Sequence, residues 1–99
     1  MEYSLSTPDD TALTLSKRIK ELRLSKKWKR TTLSKRSGVT EASLRRFEQT
    51  GKVSMENFLK LVFSLGRLDE VNELLKAPIA QSIKDLEKQE EKLPKRGTV

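Results

Sequence analysis

The chain has 99 residues, enough for one domain with a single modest core, and 35% of the residues are charged. It has no cysteine and no histidine, which removes disulfides, Cys/His metal sites, a thiol nucleophile and the usual general base. Its longest apolar run is far shorter than the roughly 18 residues that a membrane span needs, and its acidic start does not resemble a signal peptide. We therefore expect a cytoplasmic protein that is not an enzyme and needs neither a metal nor a cofactor.

The net charge of +7 is concentrated in one part of the chain. Residues 1–52 contain 13 Lys and Arg against 6 Asp and Glu, whereas residues 53–99 contain 8 of each. Between residues 17 and 46 the count is 12 basic against 2 acidic. This asymmetry predicts a polyanionic partner, either a nucleic acid or an anionic membrane surface.

The first predicted helix runs from Pro8 to about residue 25. Thr7 can cap its N-terminus, Pro8 suits the first helical position, and two aspartates follow. Its apolar residues recur at spacings of three and four, which predicts a buried stripe. The stripe consists of Ala12, Leu15, Ile19 and Leu22.

Two short helices are predicted next, at about 30–37 and 41–49. Gly38 separates them, because glycine tolerates the left-handed conformation that such a turn often needs. Val39 is predicted to point inward and Thr40 to cap the second of these helices. Leu33 is expected to bring the first helix into the core, and Leu44 and Phe47 the second.

A fourth helix is predicted from the cap Ser54 to about Leu65, where Gly66 ends it, and a fifth at about 68–76. Residues 1–7 are then an N-terminal extension, residues 8–77 a helical domain, and residues 78–99 a charged C-terminal tail. The tail has only a thin apolar stripe, and we expect it to be partly helical or disordered.

The segment "RIKELRLSKKWKRTTLSKRSGVTEASLRRFEQTGKVSMENFLKLVFSLG" resembles the DNA-binding domain of the lambda-repressor/Cro (XRE) family. The resemblance covers roughly residues 15–75. The residues that carry it are Arg23, Trp28, Leu33, Gly38, Val39, Thr40, Leu44, Glu48, Leu65 and Gly66. It implies an all-α, compact five-helix domain in which helices two and three form a helix-turn-helix that binds DNA.

The resemblance also implies roles for single residues. Glu41 and Ala42 match positions that meet base edges, and Ser43, Arg45 and Arg46 match the other positions that face the groove. Arg30 matches a DNA-contacting glutamine, and Thr40 and Gln49 match phosphate-contacting positions. Arg23 and Glu48 match a partly buried ion pair that joins helix one to helix three.

Arginine pairs with guanine O6 and N7 through its two-pronged guanidinium group. Arg45 and Arg46 are about 100° apart around a helix, so one is expected to read a base and the other to grip phosphate. We favour Arg46 as the base reader. Glu41 can either accept from a cytosine amino group or only stabilise the helix N-terminus. Trp28 is expected to be a packed lid between helices one and two rather than a surface for base stacking.

Two residues depart from the family pattern in ways that predict local structure. Lys29 stands where the family usually has a capping Ser or Thr, which predicts a weaker cap for helix two. Ser34 replaces an alanine at a tight helix contact, and its hydroxyl is expected to bond a backbone carbonyl.

Repressors of this family bind palindromic operators as homodimers, which the resemblance implies here too. The segment "SIKDLEKQEEKLPKRG" further resembles the C-terminal extension of HipB-type antitoxins, which implies autorepression and a kinase-like (HipA-like) toxin as partner. The alternatives are a phage- or plasmid-type repressor without a toxin, or a protein–protein adaptor on the same fold. RNA binding is disfavoured because an A-form major groove does not admit a helix. A membrane binder is disfavoured because helix three needs its few apolar residues for the core.

Overall fold

The computed structural model describes residues 6–78, which form five α-helices and no β-strand. The helices are α1 (Pro8–Ser25), α2 (Arg30–Ser37), α3 (Glu41–Thr50), α4 (Met55–Ser64) and α5 (Leu68–Asn72). The predicted all-α class is confirmed, and the first four helices end within about one residue of their predicted limits. The predictions for the C-terminal tail beyond Pro78, and for the first five residues, lie outside the described part of the chain.

Side-chain caps fix the beginnings of three helices. At α1, the Thr7 hydroxyl accepts from the Asp10 amide at 3.0 Å, and the Asp10 carboxylate accepts from the Thr7 amide at 3.3 Å. Thr40 caps α3 and Ser54 caps α4 in the same way, each at 3.1 Å. Lys29 gives α2 no side-chain cap, as predicted. These bonds satisfy amides that have no partner inside the helix.

One apolar core joins the helices. Its buried members are Ile19, Leu33, Val39, Leu44, Phe47, Leu61, Val62 and Leu65. Phe47 meets the ring of Phe58 edge to face, with 6.0 Å between ring centroids. The predicted burial of Leu33, Val39, Leu44 and Phe47 is confirmed. Trp28 is half-buried and packs against this core, which confirms its role as a lid.

The buried face of α1 differs from the predicted stripe. Ile19 is buried, but Leu15 keeps 37% of its surface exposed, and the polar residues Ser16 and Arg23 are buried instead. The Ser16 hydroxyl donates to the Leu13 carbonyl at 2.8 Å, and Arg23 is paired with a carboxylate, so both polar groups have partners inside the protein. The prediction that Leu15 is buried was wrong because apolar spacing alone does not place the polar Ser16 on the buried face, whereas the burial of Arg23 agrees with the partly buried ion pair that the resemblance implied.

The fifth helix is shorter than predicted. It ends at Asn72 rather than near residue 76. Leu75 has a backbone angle φ of +61°, in the left-handed region, and a right-handed α-helix cannot continue through a residue in that conformation. Leu74 and Leu75 are exposed, the latter by 94%, so neither contributes to the core of this chain. The predicted continuation was wrong because no other described element covers these two leucines.

Gly51 allows α1 and the end of α3 to approach closely. It ends α3 in the left-handed conformation (φ +80°), and a Cβ atom built there would lie 3.0 Å from the backbone of Ala12 and of Leu13. Only glycine meets both requirements without a shift of backbone.

Gly51→Ala is expected to destabilise the protein more than Gly38→Ala does. Both glycines have φ near +80°, so each substitution should cost about 1–2 kcal/mol for the left-handed conformation. Gly38 has open space around a built Cβ, whereas Gly51 faces backbone, which should add about 1–3 kcal/mol. Urea unfolding of both variants measures the difference, and equal losses would mean that α1 moves away without cost.

Candidate nucleic-acid interface

The turn between α2 and α3 is held by hydrogen bonds on both sides. Gly38 ends α2 with φ of +82°, and its amide donates to the Ser34 carbonyl at 2.9 Å. The Ser34 hydroxyl donates to the Val39 carbonyl at 2.6 Å, which confirms its predicted bond to backbone. The Val39 amide donates to the Ser37 hydroxyl at 3.1 Å, and the Val39 side chain is buried. The orientation of α3 relative to α2 is therefore fixed by both polar and apolar contacts.

Helix α3 has one buried face and one solvent face. Leu44 and Phe47 anchor it, and four exposed residues lie opposite them: Ala42, Arg45, Arg46 and Gln49. Glu41 and Ser43 are half-buried on the two edges of this exposed face. Thr40, at the N-cap, is exposed as well, with its hydroxyl used in the cap.

The two arginines lie on opposite edges of the α3 face, because helix neighbours are three and four residues apart. Arg45 shares its edge with Glu41 and Glu48. Arg46 shares its edge with Ser43 and Thr50. All the residues predicted for the site on α3 are thus on one accessible surface, with a guanidinium group toward each side.

A buried carboxylate ties α3 to the two preceding helices. Glu48, whose side chain is 2% exposed, accepts from Nε of Arg23 and from Nε of Arg30, each at 2.9 Å. Arg23 also donates from Nη2 to Glu48 at 3.2 Å and from Nη1 to the Trp28 carbonyl at 2.9 Å. The ion pair implied for Arg23 and Glu48 is present in the structure. The contact of Glu48 with Arg30 was not predicted.

Cations cover the ring of Trp28. The Arg36 guanidinium carbon lies 4.6 Å from the ring centroid, and Lys26 Nζ lies 5.4 Å from it. Such contacts are attractive because the ring face is electronegative. The ring therefore packs between the core and these side chains, and it does not offer a free face for base stacking.

Exposed positive charge is concentrated on α1, α2 and α3, on the turn between α1 and α2, and on the loop after α3. Eleven Lys and Arg residues of this region are exposed: Lys17, Arg18, Lys20, Lys26, Lys27, Lys29, Lys35, Arg36, Arg45, Arg46 and Lys52. Among the ion pairs formed within residues 6–78, none involves these eleven. By contrast, Lys60, Arg67 and Lys76 are each paired with a carboxylate on α4, α5 or the turn after it. Within the described residues, the exposed positive charge that forms no ion pair is thus concentrated between residues 17 and 52.

A small polar pocket extends the α3 surface toward α4. It has a volume of about 160 Å³ and is lined by Ser43, Arg46, Lys52, Val53, Ser54 and Asn57. Sequence reasoning missed Lys52 and Asn57. The available signal was that only Lys52 and Val53 separate the glycine that ends α3 from the serine that caps α4, which places Lys52 beside the exposed face of α3.

A second surface lies between α4 and α5 and is almost entirely apolar. This α4–α5 groove has a volume of about 400 Å³ and is lined by Glu56, Leu59, Lys60, Phe63, Leu68, Val71 and Asn72. Phe63 is 69% exposed, and Met55 continues its row along α4 with a similar exposure. In the single chain this apolar surface is open to solvent, which makes it a candidate interaction site.

No protein family matches this chain, and no curated protein or solved structure is significantly similar to it. In the part of the chain that the structure describes, no helix is both long and apolar enough to cross a membrane. Within the same residues, no cluster of three carboxylates could hold a metal ion.

Proposed function

We propose that this protein is a sequence-specific DNA-binding transcriptional repressor of the lambda-repressor/Cro type, in which α2 and α3 form a helix-turn-helix. The observation that carries the proposal is the exposed face of α3. It presents Ala42, Arg45, Arg46 and Gln49 on a helix whose other side is anchored by buried residues and by the Glu48 ion pairs.

The dimensions of α3 suit a major groove. Its ten residues are about 15 Å long, and the major groove of B-DNA, about 12 Å wide, admits one helix. The small side chain of Ala42 allows a close approach, and the arginines on the two edges face the two walls of the groove. Lys52 and the polar pocket then lie beside one phosphate backbone, and Arg30 lies beside the other edge of α3.

We propose that the protein binds a palindromic operator as a homodimer, with the α4–α5 groove as its interface. The groove is exposed in the single chain, and its rim carries one residue of each sign, Glu56 and Lys60. A two-fold axis between them places Glu56 of one copy opposite Lys60 of the second copy. The surface is therefore self-complementary. Two copies of α3 would then meet successive major grooves about 34 Å apart.

The finer proposal is that the protein is the antitoxin and autoregulator of a toxin–antitoxin operon with a HipA-like kinase toxin. It is supported by the sequence "SIKDLEKQEEKLPKRG" alone, which lies beyond the described residues. Binding of DNA from upstream of its own gene is the result that this proposal requires. Co-purification with the product of the neighbouring gene tests the toxin partner.

Fluorescence anisotropy across a salt series tests the DNA-binding proposal. We expect tight binding to DNA from upstream of its own gene and much weaker binding to scrambled DNA of equal length. Counterion release predicts a log–log slope of about −0.9 for each phosphate neutralised. Equally weak binding to both DNAs would contradict sequence-specific repression and favour a protein–protein adaptor on this fold.

A further inference from the structure

Glu48 binds two guanidinium groups that differ in their exposure and in how many of their nitrogens form hydrogen bonds within residues 6–78. Arg23 is 6% exposed, and all three of its side-chain nitrogens are used, two on Glu48 and one on the Trp28 carbonyl. Arg30 is 34% exposed and uses Nε on Glu48. Within residues 6–78, neither terminal nitrogen of Arg30 makes a hydrogen bond.

The position of Arg30 relative to α3 follows from its bond to Glu48. Arg45 precedes Glu48 by three residues, so their Cβ atoms are neighbours on the helix surface, about 5–6 Å apart. Arg30, the first residue of α2, is therefore held beside the Arg45 edge of the exposed α3 face. A guanidinium group fixed through Nε presents its two terminal nitrogens together, in the geometry that binds two phosphate oxygens.

We infer that Glu48 is a positioning residue for DNA binding: it fixes Arg30 so that its two terminal nitrogens grip a backbone phosphate next to α3. This inference rests on the proposed DNA-binding function. A long side chain that is already held in place loses less freedom when it binds, so the contact is stronger than that of an unrestrained cation.

Positioning and simple electrostatics predict opposite effects when Glu48 loses its charge. Glu48→Gln removes a negative charge close to the proposed DNA surface, so electrostatics alone predicts tighter binding. The preferred DNA is the DNA from upstream of the protein's own gene. If Glu48 positions Arg30, the same variant should bind this DNA about tenfold more weakly, as expected for a lost contact to a charged group. Glu21→Gln, on the exposed surface of α1, is the control for the charge change itself.

The test is a cycle of four proteins: the wild type, Glu48→Gln, Arg30→Gln and the double variant. Positioning predicts that Glu48→Gln weakens DNA binding when Arg30 is present and has no further effect in the Arg30→Gln background. Arg30→Gln should also reduce the salt slope by about 0.9, one phosphate contact. Tighter binding by Glu48→Gln, or equal weakening in both backgrounds, would overturn the inference in favour of a purely structural role.

Arg30→Lys keeps the test decisive if Glu48→Gln unfolds because Arg23 is left without its anion. This variant keeps the Arg23–Glu48 pair and the positive charge but lacks Nε and the paired terminal nitrogens. We expect its affinity for the DNA from upstream of its own gene to fall about tenfold, as for a lost contact to a charged group. Wild-type affinity would show that only the charge matters, and would overturn the inference while the proposed function stands.

Two controls separate the failure of this inference from the failure of the proposed function. A wild-type chain that prefers no DNA sequence would overturn the function, and the inference with it. Exchange of the Arg30 Nε proton with water, measured by NMR in the free protein, tests the position of Arg30 without DNA. This proton should exchange more slowly than the Nε proton of Arg45, and it should lose this protection in Glu48→Gln.

Discussion

Phe63→Glu is expected to convert the proposed homodimer to a monomer and to weaken binding to DNA from upstream of its own gene by about 10²- to 10⁴-fold, the range in which two linked binding sites exceed one. Phe63 is 69% exposed in the α4–α5 groove, so the substitution should leave the core of the single chain unchanged. In the proposed two-fold dimer it would bury one unpaired carboxylate from each copy in an apolar interface. Sedimentation velocity gives the oligomeric state, and anisotropy gives the DNA affinity.

Leu24→Glu is the matched control for this prediction. Leu24 is 51% exposed near the end of α1, outside the α4–α5 groove, and the substitution adds the same negative charge. We expect it to remain dimeric and to bind DNA only slightly more weakly. If Phe63→Glu and the wild type both sediment as dimers, the dimer uses another surface, and the two variants should lose equal affinity. If both sediment as monomers, the proposed homodimer is wrong.

The helix boundaries could be predicted because capping is local. Thr7, Thr40 and Ser54 each bond an amide three residues ahead, so the signal and its partner are adjacent in the sequence. The left-handed glycines work in the same way, since Gly38 and Gly66 need only their own backbone freedom. Four helices were therefore placed correctly without knowledge of how they pack.

The errors arose where a residue's surroundings come from distant parts of the chain. Ser16 occupies the buried face of α1, although a polarity pattern assigns it to solvent. Arg23 lies on the same buried face, in agreement with the partly buried ion pair that the resemblance implied. Arg23 can be buried because Glu48, 25 residues later, neutralises it. The predicted length of α5 was wrong for the opposite reason. Leu74 and Leu75 continue the apolar pattern, but no described element packs against them.

In the candidate site too, local features could be predicted from the sequence, whereas contacts between distant residues could not. The exposed face of α3 could be predicted, because Leu44 and Phe47 define the buried side and helix geometry defines the other. The bond of Arg30 to Glu48 spans 18 residues, and the pocket that Arg46 shares with Lys52 depends on how α4 follows α3. Neither contact has a periodic signal, so only the structure could reveal that both ends of the site are braced by other helices.

Arg46→Ala is expected to weaken binding to the preferred DNA by about 10- to 100-fold and to weaken binding to scrambled DNA much less. A bidentate contact from arginine to guanine contributes roughly 1–3 kcal/mol of discrimination, and 1.4 kcal/mol is a factor of ten. Arg46 is exposed on the α3 face, so its truncation should not change the unfolding free energy by more than about 0.5 kcal/mol. Anisotropy titrations with both DNAs give the two losses.

Arg18→Ala controls for the loss of one exposed positive charge, because Arg18 lies on α1, outside the α3 surface. Arg18→Ala should lower the affinity for both DNAs by the same small factor. The polar pocket that Arg46 shares with Lys52 gives the opposite outcome a definite meaning. If Arg46→Ala loses equally on preferred and scrambled DNA, then Arg46 and Lys52 grip phosphate together. Base reading on α3 would then fall to Arg45, next to the Arg30 that Glu48 holds, and Arg45→Ala should show the sequence-dependent loss instead.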